Sequence, residues 1–85
     1  MAVTTQELIA RWIEPDPRRP GPAEARLRDA KVAVWAIIGY LQMVGEDRRR
    51  AAAAYDIPLE AVEAAVAYYQ EHRAAVDARL AANAA

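Results

Sequence analysis

Eighty-five residues make one domain, and although 55% are apolar, 22 are alanine, so few large side chains remain to build a core and pairing with itself or a partner is favoured. The net charge of −1 supplies no global field for nucleic acid, and the absence of cysteine excludes a disulfide scaffold and a thiolate zinc site. No leader pattern opens the chain, and its longest apolar stretch, Val32 to Leu41, is too short for a bilayer, so a cytoplasmic protein without membrane contact is expected.

Thr4 and Glu7 have capping-box spacing and predict a short helix running to Arg11 or Trp12. Pro15, Pro17, Pro20 and Pro22 then forbid a regular element, which makes residues 14–23 an ordered, irregular loop. Residues 26–28 and 31–34 flank Asp29-Ala30 as two short strands about a tight turn. From Val34 the apolar period becomes helical, through Ile37, Ile38, Leu41 and Val44, and Gly45 stands where a C-cap belongs. Glu46-Asp47 starts the next helix, which ends at Tyr55, with Asp56-Ile57-Pro58 as a turn. Leu59, Val62, Val66, Tyr69, Arg73, Val76 and Leu80 then alternate at spacings of three and four, and nothing obvious breaks this last helix before Asn83.

The expected architecture is mostly α. Residues 1–22 form an N-terminal helix and Pro-rich loop, 23–34 a candidate β-hairpin, and 35–85 a helical core ending in a long C-terminal helix. Within that core, residues 48–67 have the pattern of a helix–turn–helix. Asp56 suits its left-handed turn position, and small Ala52 suits the close approach of the two helices. A plain helical hairpin fits the same pattern.

Several blocks of the chain resemble those of a single bacterial family. These are Ile13 to Pro17, Arg18 to Leu27, Val34 to Leu41, Tyr55 to Ala65, Ala67 to Tyr69 and Asp77 to Asn83, with the Val34-Trp35 and Tyr55-Asp56-Ile57-Pro58 blocks the most distinctive. Together they are similar to domain of unknown function 433. The resemblance implies a small helix–turn–helix, winged or hairpin-bearing, whose relatives are paired with a PIN-like ribonuclease toxin as its antitoxin. It carries over no catalytic residue.

The expected function is therefore antitoxin-like: binding and neutralising a cognate PIN-like toxin, with repression of its own operon as an added role. A DNA-binding regulator without a toxin and a structural homo-oligomeric module are the alternatives. No catalytic, cofactor or metal site is expected. Glu60 and Glu63 look like exposed helix charges, His72 is a lone surface histidine, and Trp12, Trp35, Tyr55 and Tyr69 suit a core or interface.

Three sets of residues are candidates for contact. Arg48, Arg49 and Arg50 occupy a first helical turn, where positive charge opposes the macrodipole, so helix stability does not explain them; DNA phosphate contact would, as would a solvated face offset by Glu46 and Asp47. The outward positions of the following helix, Pro58, Leu59, Glu60, Glu63, Ala64 and Ala67, are poor base readers, and the carboxylates repel phosphate. Leu59, Val62, Val66, Tyr69, Val76 and Leu80 form a heptad seam for a homodimer or partner. The resemblance further implies a toxin with an acidic metal site, for which a guanidinium is the fitting inhibitor. Arg73 and Arg79 lie about 120° apart around a helix, which places Arg73 on the seam and offers Arg79 to the toxin.

Overall fold

In the computed structural model, which describes residues 3–84, Thr4 opens the first helix as its spacing predicts. Its hydroxyl oxygen accepts from the Glu7 N–H at 3.1 Å, and its hydroxyl donates to the Glu7 carboxylate at 3.1 Å. Met1 and Ala2, part of the start expected to lack a leader, and Ala85 lie outside the described residues. Helix α1 (Thr5–Trp12) presents Leu8, Ile9 and Trp12 to the core and ends where Ile13 turns extended.

The strand pairing differs from the expectation. Strand β1 (Ile13–Glu14) pairs antiparallel with β2 (Arg26–Leu27), with Ile13 opposite Leu27 and Glu14 opposite Arg26. The partner of β2 thus lies where the first helix was expected to give way to the loop, and residues 23–34 are not a self-contained hairpin. The turn at Asp29-Ala30 is present, closed by the Leu27 N–H donating to the Val32 carbonyl at 2.8 Å, with Lys31 left-handed at φ 59. Beyond it only Ala33 meets Arg26, as an isolated bridge, because helix α2 begins at Val34 and leaves no length for a second strand. Between the strands the chain makes a turn at Asp16–Arg19 and a 3₁₀ turn at Pro22–Glu24, entered through Gly21 at φ 110. The Arg28 guanidinium donates to the Ala10 carbonyl and the Arg28 N–H to the Trp12 carbonyl, so this hairpin satisfies the open end of α1.

Helix α2 (Val34–Met43) buries Val34, Ile37, Ile38 and Leu41. It stops where Gly45 and Glu46 both turn left-handed and the Glu46 N–H reaches back to the Leu41 carbonyl at 2.8 Å. Asp47 caps α3 (Arg48–Tyr55), accepting from the Arg50 N–H at 3.1 Å. Asp56 takes the left-handed turn conformation, φ 53 and ψ 51, and α4 (Leu59–Glu71) follows Pro58. Helices α2, α3 and α4 touch pairwise. The residue pressed between α3 and its neighbours is Ala51, fully buried, rather than Ala52, which is half-buried.

The long C-terminal helical stretch runs from Leu59 to Ala84 but is interrupted once. His72, at φ −128 and ψ 36, ends α4, and α5 (Arg73–Ala84) departs in a new direction. Neither Pro nor Gly causes this break. His72 stacks on Tyr68, with ring centroids 4.3 Å apart, while the redirected α5 packs against α2 and the 3₁₀ turn and buries Val76 completely. The approach of α5 to α2 is close: a Cβ on Gly39 would stand 3.0 Å from Leu80 Cδ2. One core results, centred on Ile13, Leu27, α2, the inner face of α4 and Val76. No helix among the described residues is long and apolar enough to cross a membrane.

Candidate functional site

Of the eleven basic side chains in the chain, six are held by carboxylates: Arg11, Arg19, Arg26, Arg28, Lys31 and Arg79. Glu14 gathers three of these, accepting from Arg26 Nε at 2.7 Å and Lys31 Nζ at 3.0 Å, with Arg28 at 3.8 Å. The hydrogen bonds from Lys31 and then Arg26 hold its carboxyl below the usual range. These cations serve the fold, because they tie the hairpin together.

Arg48, Arg49 and Arg50 are different. Capping by Asp47 fixes the start of α3, and the turn points all three side chains to solvent while Ala51 faces inward. Among the described residues none of them pairs with a carboxylate. Asp47, expected to offset them, directs its carboxylate to the Arg50 backbone N–H instead. The remaining cations without a carboxylate partner among the described residues are Arg18 and Arg73. Arg73 is exposed, with its guanidinium 5.0 Å from the Tyr69 ring centre.

The carboxylates expected to face solvent on α4 divide into two kinds. Glu63 is exposed. Glu60 is committed to the fold, accepting from the Trp12 indole N–H at 2.6 Å and from Arg11 at 3.1 Å, and those two bonds hold its carboxyl below the ordinary range. Ala64, expected to face outward, is fully buried. The outer surface of α4 is therefore smaller and less acidic than its sequence implies.

The heptad seam does not exist as one surface. Val62 and Val76 are completely buried in this chain's own core, whereas Leu59, Val66, Tyr69 and Leu80 are half-buried. The break at His72 turns the seam residues of α5 onto α2, so the frame cannot continue across it. Arg79 is likewise engaged within the chain. Its guanidinium lies 4.3 Å from the centre of the Trp35 ring, and its Nε donates to Glu24 at 3.0 Å, fastening α5 to the 3₁₀ turn. A partner 55 residues away in sequence gives no local signal.

Two features went unmarked in the sequence. Met43, at the end of α2, is 82% exposed beside a cleft lined by Trp35, Tyr40, Tyr55 and Leu80. A second, polar groove of about 310 Å³ joins Arg48 to Arg73, with Gln42, Glu46, Tyr69 and Gln70 on its walls. Among the described residues no group of three or more His, Asp or Glu is placed to hold a metal ion. No family model, curated protein or solved structure matches the chain.

Proposed function

We propose that this chain is an antitoxin-like binding protein that neutralises a cognate PIN-like ribonuclease and holds operator DNA by its phosphates. The observation that carries the DNA part is the exposure of Arg48, Arg49 and Arg50 at the start of a helix, without carboxylate partners among the described residues. Such a cluster costs helix stability and adds no internal ion pair, so an external polyanion explains it best. The toxin part is supported by the resemblance to domain of unknown function 433. The surface best suited to a protein partner is the Met43 cleft, since methionine and aromatic side chains are enriched where protein surfaces meet. With Arg79 engaged by Glu24 and Trp35, that cleft replaces it as the toxin-facing candidate.

Co-expression with the product of the adjacent gene tests this reading. Wild type should restore growth and co-purify with the partner, and Met43→Asp should abolish both while the helical signal persists. Absence of co-purification by wild type overturns the toxin part. Binding of the upstream promoter duplex in that case would leave a DNA-binding regulator without a toxin. A single sedimenting homo-oligomer that engages neither would favour the structural module.

A further inference from the structure

Arg48 and Arg73 come from different helices, yet both line the groove between the end of α2, the start of α3 and the junction of α4 with α5. Both are exposed, and neither meets a carboxylate partner among the described residues. Tyr69 positions Arg73 by its ring face, and its hydroxyl donates to Asp77 at 2.7 Å, which occupies the carboxylate one helical turn from Arg73. The walls add two amide side chains, Gln42 and Gln70, and one opposing charge, Glu46.

From this arrangement we infer that the groove seats one phosphate of a nucleic-acid backbone, with Arg73 as a fourth phosphate contact beside Arg48, Arg49 and Arg50. The inference rests on the reading of the arginine cluster as a nucleic-acid contact and adds to it a second helix and a defined seat. Guanidinium groups suit the task because their planar forks pair bidentately with phosphate oxygens, and amide N–H groups can satisfy the remaining oxygens. A backbone is the fitting source rather than a free anion, because Arg49 and Arg50, exposed next to Arg48 and likewise without carboxylate partners among the described residues, offer further cations to neighbouring phosphates. Glu46 works against the contact and moderates its strength.

The test is the salt dependence of binding to a short random-sequence duplex by the full chain, with folding checked by circular dichroism. Arg73→Ala and Arg73→Gln should each reduce the slope of log affinity against log salt by about 1. Glu46→Gln should tighten binding by about two- to fivefold at low salt, the range expected of one exposed charge pair. If replacing Arg48, Arg49 and Arg50 with Ala lowers the slope but both Arg73 variants keep the wild-type value, the groove inference fails while the arginine cluster stands. If wild type does not bind the duplex at low salt, both fail. Arg73-dependent binding of a polyglutamate peptide without binding of the duplex would overturn the inference in favour of an acidic protein segment.

Discussion

Glu14 and Glu60 each hold a structural junction through charge-assisted hydrogen bonds. Glu14 anchors β1 to β2 and to Lys31 in the turn that follows it, and Glu60 anchors α4 to the end of α1. Both carboxyls are held below their ordinary value of 4.5. The unfolded chain therefore binds protons more readily at these positions than the folded one. Their contribution to stability is fully present above about pH 4.5 and is lost as pH falls through the lowered folded-state values. Urea midpoints measured at pH 6 and pH 3 should drop sharply for wild type and by visibly less for Glu14→Gln/Glu60→Gln. An equally steep drop in the double variant would assign the acid sensitivity to other groups.

The turn between α3 and α4 depends on one backbone conformation. Asp56 adopts φ 53 and ψ 51, which a short polar side chain tolerates and a β-branched one does not. Asp56→Gly should lie within about 1 kcal/mol of wild type, whereas Asp56→Val should cost roughly 1–2 kcal/mol from left-handed strain. Urea denaturation orders the three, and a Val variant as stable as wild type would show that the turn relaxes freely. This turn was legible in the sequence, as were the caps at Thr4, Gly45 and Asp47, because each is decided by residues within a few positions of one another. The strand partner of β2 was not legible. Arg26 and Leu27 carry no mark that prefers Ile13 and Glu14 over residues 31–34, and the choice falls to packing and to the early start of α2. The break at His72 was equally silent, since every residue around it is compatible with helix. Only the burial of Val76 and the stacking on Tyr68 make bending favourable. The arginine cluster of the candidate site could be read directly, but Arg73 joined it only through folding, and Arg79 left the candidate surface for the same reason.

For the molecule as a whole, the last helix is part of the core rather than an appendage. Val76 is fully buried, so Val76→Ala should cost roughly 2 kcal/mol through lost burial and the cavity left behind. Removal of residues 74–85 takes away Val76, Leu80 and the Arg79 clasp together and should abolish the cooperative thermal transition. A truncated chain that melts cooperatively near the wild-type temperature would show α5 to be dispensable. For the same reason, loss of partner binding on this truncation says nothing about where the partner sits, and surface variants such as Met43→Asp are the informative ones.

The clasp of Arg79 on Glu24 and Trp35, together with the Trp12–Glu60 bond, spans sequence separations of 55 and 48 residues. During synthesis the early half of the chain emerges before either of its partners exists. Helix α1, the hairpin and the 3₁₀ turn must wait, with their apolar faces uncovered, until α4 and then α5 clear the ribosome. The core of these 85 residues is therefore completed only once α5 has been made.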